Sequence, residues 1–139
     1  MGYRYRALSV RLPHAGLIAL GVKRIELRTW AIDYRGPLLI VSGLRPWVSP
    51  RPLVASEADV DRANSMPGGV TLAIVDLLDI RRARPEDAAL ACVAPVEGEL
   101  AWILGEARRV TPRSVRGAQR VFWVPAELVS PLAPPPLRT

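Results

Sequence analysis

The residues best suited to chemistry lie close together in one short segment, at Lys23, Glu26, Arg28 and Trp30. Glu26, Arg28 and Trp30 occupy every second position, and the apolar residues Ile25 and Leu27 alternate with them. Because successive side chains of a β-strand point to opposite sides, this alternation predicts a strand over residues 24–30 with its polar side chains on one face. Lys23 would enter that face from the preceding turn.

This combination of side chains is suited to binding a nucleic acid. Lys23 and Arg28 offer charge-assisted hydrogen bonds to phosphate, while Glu26 would accept a bond from a base amino group or hold Arg28 in position. Trp30 would stack on a base. Two plainer interpretations stay open: a solvated strand face with ordinary ion pairs, and an indole that closes one end of the core.

Residues outside this segment extend the predicted surface. Ser9 and Arg11 lie on the polar face of a strand predicted over residues 7–12. Arg35 and Gly36 would present a guanidinium and a bare backbone to a phosphate, or simply form a hairpin turn. The candidate nucleic-acid-binding residues are therefore Ser9, Arg11, Lys23, Glu26, Arg28, Trp30, Arg35 and Gly36.

Other ionisable residues are given less specific roles. His14 is the only histidine, and its place in the first turn of a helix should lower its pKa; it is expected to be structural or at the surface. Asp76 is expected to point inward and to pair with an arginine. Arginines clustered at 81–84 and at 108–120 could each follow a phosphate backbone.

Composition narrows the class of protein. The chain has 139 residues and a formal net charge of +6, which fits a single domain that attracts polyphosphate backbones or anionic membranes, and the charge does not choose between them. Cys92 is the only cysteine, so we expect no internal disulfide and a reducing, cytoplasmic location. Apolar runs are too short to span a membrane. No cofactor fingerprint or metal-ligand spacing occurs, so neither a cofactor nor a metal is expected.

The elements that must position these residues are short. Strands are predicted over residues 7–12, 24–30, 37–42, 70–80, 101–104 and 120–124, and helices from residue 13, over 53–63 and over 85–91. Strands that outnumber short helices predict a mixed α+β domain, built as a closed or nearly closed β-barrel. Prolines at 131–136 should keep the end of the chain out of the sheet.

Three segments together resemble the ASCH family of PUA-like domains. Residues 7–40 carry its Gly-x-Lys-x-x-Glu-x-Arg-x-Trp pattern followed by Arg-Gly, residues 73–80 are similar to its central strand, and the segments around 101–104 and 115–125 resemble its closing strands. The resemblance implies a PUA-like mixed β-barrel of five or more strands flanked by short helices. It also implies a cleft that gathers Lys23, Glu26, Arg28, Trp30 and Arg35, in a domain of residues 1–129 followed by a Pro-rich tail of residues 130–139.

The chain departs from the family pattern at two places. Many relatives have Gln-Pro-Trp where this chain has Leu12-Pro13-His14, so an amide and an indole are absent there. Relatives that hydrolyse acetylated cytidine carry a nucleophilic threonine where this chain has Glu26.

Three functions follow as hypotheses. The first is an ASCH-type module that binds RNA or single-stranded DNA in a basic cleft. The second is a small hydrolase using the same cleft, either an amidohydrolase on nucleoside-like small molecules such as acetylated cytidine or a ribonuclease. In that case Lys23 would be the catalytic base and Glu26 the acid or the group that activates water. The third is a protein-interaction adaptor.

Overall fold

The structure is a computed structural model that describes residues 2–132. Its strands, in chain order, are β1 (Arg4–Val10), β2 (Ile25–Arg28), β3 (Gly36–Ser42), β4 (Thr71–Arg82), β5 (Leu100–Leu104), β6 (Arg108–Arg109) and β7 (Val121–Pro125). Its helices are α1 (His14–Ala19), α2 (Glu57–Asn64) and α3 (Ala88–Ala91). Two short 3-10 turns, Pro85–Asp87 and Ala126–Leu128, complete the described elements.

The seven strands form one mixed sheet in the order β2-β5-β4-β3-β1-β7, with β6 beside β4. The β1–β3 pair is parallel and the other pairs are antiparallel. Strands β2 and β7 lie at the two ends, and no strand pairing joins them within the described residues. The fold is therefore the α+β, PUA-like, barrel-like architecture expected from the sequence, but the sheet is not closed by backbone pairing.

The core lies inside the curve of this sheet. Alternating apolar residues of β1, β3 and β4 meet Trp102 of β5, which is fully buried, and helix α1 covers them. Helix α1 can approach α2 closely because it carries Gly16, where an added Cβ would lie 2.6 Å from the carbonyl oxygen of Ala63. This contact fixes α1, whose first residue is His14.

Each predicted strand is present, although the ends differ. Strand β1 begins at Arg4, earlier than predicted, and β4 continues to Arg82. Strand β2 ends at Arg28, so Trp30 lies beyond it rather than within it. The two-residue strand β6 was not predicted because its sequence, two arginines, carries no apolar alternation.

The inward orientation predicted for Asp76 was wrong. A regular strand would have placed Asp76 with Leu72 and Ile74, but it is Val75 and Leu77 that are buried in the core. The pairing of β3 with β4 shifts register between Ile40 and Val41, where Leu72 is an extra residue of β4, and this bulge reverses the alternation ahead of Asp76. The predicted arginine partner is present: Arg108 Nη1 lies 3.4 Å from Asp76 Oδ2, and both side chains are half exposed.

The expectation that the proline-rich end could not pair was wrong for Pro131, which forms an isolated antiparallel bridge with Val110. Neighbouring residues make the hydrogen bonds of this bridge: the Thr111 N–H donates to the carbonyl of Ser130, and the Leu132 N–H donates to the carbonyl of Arg109. The missing N–H of proline is therefore not needed. Residues 133–139, most of the predicted tail, lie outside the described residues. Among the helices of residues 2–132, none has the length and apolarity required to cross a membrane.

Candidate nucleic-acid interface

A cavity of about 950 Å³ opens between β2, the end of β1 and the loops at residues 43–51 and 115–119. Six cationic side chains line it, against a single carboxylate, that of Glu26. The cations are Arg11, Lys23, Arg28, Arg45, Arg51 and Arg116.

Lys23, Glu26 and Arg28 form a connected group at one wall of the cavity. Arg28 donates to Glu26 Oε2 from Nη2 at 2.8 Å and from Nε at 3.0 Å. Lys23 Nζ lies 3.5 Å from the other oxygen, Oε1, and donates to the backbone carbonyl of Ala91 in α3. Glu26 is thus held by a cation at each oxygen.

Local backbone structure places Lys23 there. Gly21 adopts a φ of +78° after α1, which favours glycine, and the turn it forms brings the Lys23 N–H to the carbonyl of Leu17. The next residue, Arg24, donates to Leu90 O in α3 and accepts from Leu104 N in β5. The Lys23 side chain is consequently enclosed, with only 2% of the residue exposed.

Burial and neighbouring charges act in opposite directions on this group. Burial lowers the pKa of Lys23 below its usual value, although Glu26 opposes the shift. Burial alone would raise the pKa of Glu26, but the charges of Arg28 and Lys23 outweigh it and hold that pKa below its usual value. Glu26 is therefore ionised at neutral pH.

His14 and Trp47 form an aromatic part of the wall. Their ring centroids lie 4.6 Å apart with an interplanar angle of 80°, an edge-to-face contact. Burial, reinforced by the charge of Lys23, lowers the pKa of His14 to about 4, so the imidazole is neutral at pH 7. Its Nδ1 atom is buried and has no hydrogen-bond partner in the described part of the chain.

Of the two places expected for His14, structural or at the surface, the surface is wrong, because His14 is buried and lines the cavity. The direction of its pKa shift agrees with the prediction, but the main cause is burial, not the helix N-terminus.

The mouth of the cavity carries the accessible charge. Arg11, Arg45 and Arg116 are exposed and form no ion pair within residues 2–132. Arg51 is different, because both of its terminal nitrogens donate to Glu99, at 2.8 and 3.1 Å. Three arginines are therefore available to an anion without breaking an existing ion pair.

Five of the eight candidate residues line the cavity: Ser9, Arg11, Lys23, Glu26 and Arg28. Trp30 lies outside it, in edge-to-face contact with Trp102 at 5.0 Å between ring centroids. The guanidinium carbon of Arg120 lies 4.9 Å from the Trp30 ring, and that of Arg28 lies 5.9 Å away.

Arg35 and Gly36 also lie outside the cavity. Arg35 donates to the carbonyls of Ile32 and Tyr34 and lies 3.8 Å from Asp79. Gly36 has a φ of +133°, and an added Cβ there would come within 2.8 Å of the Tyr34 hydroxyl. This glycine is required by the turn into β3.

The sequence reasoning missed Arg45, Trp47 and Arg51, which reach the cavity from one proline-containing loop. The prolines of this loop exclude regular structure, so periodicity assigns its side chains to no face. The signal that could have found them is a tryptophan with an arginine on each side. No group of three or more His, Cys, Asp or Glu side chains suited to a metal occurs among the described residues.

The curled open sheet, with a charged cavity at the gap between its ends, defines a PUA-like module. The chain belongs to the ASCH domain family, whose model matches residues 8–114. Membership of this family supports a nucleic-acid-binding or hydrolase-like module in general.

Individual relatives agree with this assignment. The chain is 38% identical over 81 residues to activating signal cointegrator 1 of Mus musculus and 37% identical over 82 residues to that of Homo sapiens. Each alignment covers 52% of this chain but 14% of the relative, so the chain matches a small part of those proteins. A crystal structure of a mutant ASCH protein from Zymomonas mobilis superposes with a TM-score of 0.57 at 12% identity, covering 91% of this chain and 99% of that one. At that identity the likeness concerns the fold alone.

Proposed function

We propose that the chain is an ASCH module that binds single-stranded nucleic acid, RNA or DNA, in this cavity. The observation that carries the proposal is the set of six cations against one carboxylate in a concave site of about 950 Å³. Such a surplus of positive charge attracts a phosphate backbone, and the cavity volume falls in the range of small-molecule sites.

The role proposed for each side chain follows from its exposure and its ion pairs. Arg11, Arg45 and Arg116 are exposed and carry no ion pair in the described residues, so they would contact phosphates. Lys23 and Arg28 are held by Glu26 and would set the potential of the wall and its shape. Ser9 and Trp47 would contact the sugar and base that enter the cavity.

Binding of labelled RNA and DNA oligomers as a function of salt tests the proposal. Affinity should fall with a negative log-log slope, and Arg45→Ala or Arg116→Ala should each weaken binding and reduce the slope by roughly 0.7 to 0.9. Arg62→Ala is the matched control, because Arg62 is an exposed arginine on α2 that does not line the cavity. Absence of binding at low salt, or equal effects of all three variants, would contradict the proposal.

A hydrolase is the second candidate, and the pairing of Lys23 with Glu26 at the cavity wall favours it. Burial lowers the pKa of Lys23, which brings its amine closer to the neutral form that a base requires. Glu26 is ionised, so of the two roles expected for it, acid or activator of water, it would activate the water that attacks. Incubation with acetylated cytidine and with RNA tests this candidate: product that forms with the wild type and is absent with a folded Lys23→Ala variant supports it, and no product with the wild type excludes these two substrates.

A further inference from the structure

A second group of cationic and aromatic side chains lies at the β1–β7 end of the sheet, outside the cavity. Arg6 Cζ lies 4.0 Å from the ring centroid of Tyr34 and 4.7 Å from that of Trp123. Arg4 Cζ lies 4.7 Å from the same Trp123 ring. We call these four residues, Arg4, Arg6, Tyr34 and Trp123, the arginine–aromatic ladder.

Backbone pairing creates the ladder. Arg6 and Trp123 are directly paired residues of the antiparallel strands β1 and β7, so their side chains are neighbours on the sheet. The pairing leaves Trp123 48% exposed and outside the hydrophobic clusters of the described residues. Since tryptophan is highly buried on average, this indole is available for a function other than core packing.

The charge of the ladder is also available. Arg4 and Arg6 contact aromatic rings and make no ion pair with any carboxylate of residues 2–132. A contact with an aromatic ring does not neutralise a guanidinium, so both side chains keep their positive charge. The ladder therefore combines an exposed stacking surface with uncompensated positive charge, which complements a polyanion that also carries aromatic bases.

The ladder continues from the cavity along one stretch of chain. Residues 115–119 line the cavity, and the next residue, Arg120, lies over the Trp30 ring. Trp123 follows three positions later, which corresponds to about 10 Å of extended backbone. Arg28, which also lines the cavity, contacts the same Trp30 ring.

We propose that the arginine–aromatic ladder is a second binding site, which stacks bases of a single-stranded nucleic acid whose chain runs from the cavity past Trp30 and Arg120 to Trp123. The proposal rests on the function proposed above for the cavity. Stacking on an indole and on guanidinium planes tolerates any base, because every base has a π-face. The ladder should therefore lengthen the binding site without adding sequence preference.

The test compares oligomers of two lengths, about four and about twelve nucleotides, which span much of the usual range of single-strand site sizes. Wild-type protein should bind the longer oligomer more tightly. Trp123→Ala should weaken binding of the longer oligomer by roughly 5- to 150-fold and leave the shorter one unchanged, and Trp123→Phe should retain most of the affinity. Leu90→Ala, at a residue on α3 that is 50% exposed and outside both sites, is the matched control and should change neither.

The outcomes separate this proposal from the one on which it rests. If Trp123→Ala binds the longer oligomer as the wild type does, while Arg45→Ala and Arg116→Ala lose affinity, the ladder is not a binding site and the cavity still is. If Trp123→Ala weakens both lengths equally, with a lowered thermal midpoint, the indole supports the fold and the ladder proposal is overturned. If the wild type binds neither oligomer, the proposed function itself fails.

Discussion

Arg28 connects β2, at one end of the open sheet, with β1, the strand next to the other end. Its Nη2 donates to the backbone carbonyl of Ser9 on β1 at 3.0 Å while the same guanidinium holds Glu26 on β2. Strands β2 and β1 are not neighbours in the sheet order, so this side chain bridges the gap that backbone pairing leaves open. The bridge lies at the wall of the cavity.

Replacing this guanidinium by an amine should therefore weaken the connection between β2 and β1. In Arg28→Lys one nitrogen replaces the two, Nε and Nη2, that make three bonds to Glu26 and Ser9, so not all three bonds can be kept, and we expect the free energy of unfolding to fall by about 1 to 2 kcal/mol. Urea denaturation measures the loss, and faster amide exchange in β2 would locate it. Arg62→Lys, at an exposed site on α2, is the control and should leave the free energy of unfolding unchanged. A variant as stable as the wild type would show that the Arg28 bridge does not hold β2 and β1 together.

Glu26→Gln should destabilise the fold more strongly. The substitution keeps the size of the side chain but removes the charge that compensates Lys23 and Arg28, and Lys23 is almost fully enclosed. Removing one partner of a buried ion pair costs about 3 to 5 kcal/mol. The control is Asp76→Asn, which breaks the half-exposed pair with Arg108 and should cost less than about 1 kcal/mol. Urea denaturation measures the free energy of unfolding of both variants. Equal losses would contradict the claim that Glu26 compensates two cations at a buried site.

His14 should make stability depend on pH in a range where carboxyl groups contribute little. Its pKa is lowered from 6.5 to about 4 in the folded chain, so below pH 6.5 the unfolded chain binds the proton more readily. Stability should therefore decrease as pH falls from 7 to 5, by about 2 kcal/mol. The measurement is urea denaturation at several pH values. In His14→Asn this part of the pH dependence should vanish; an unchanged slope would show that another group is responsible.

Trp47 should contribute to binding through its ring. If a base that enters the cavity stacks on this indole, Trp47→Ala should weaken oligomer binding by roughly 5- to 150-fold. The adjacent Val48 is 82% exposed and does not line the cavity, so Val48→Ala is the matched control and should bind normally. Fluorescence anisotropy with labelled oligomers makes the comparison. Equal affinity of the two variants would show that the Trp47 indole does not contact the nucleic acid.

The strands and the charged segment of residues 23–28 were accessible from the sequence because they depend on short-range geometry. Alternation placed Glu26 and Arg28 on one face, and spacing placed Lys23 beside them, as the structure shows. The family resemblance was likewise carried by patterns within short segments of the chain.

Tertiary structure alone decided what surrounds that segment. The Lys23 amine is enclosed because α3 brings the carbonyl of Ala91, 68 residues away, over it. His14 and Trp47 meet across a loop with no regular pattern, and Trp123 lies beside Arg6 because of the register of β7 on β1. Such contacts depend on long-range pairing and on irregular loops, which local periodicity does not encode. The sequence by itself therefore determined which residues carry the charge, while the tertiary fold determined which of them are buried, which are paired and which stay open to a ligand.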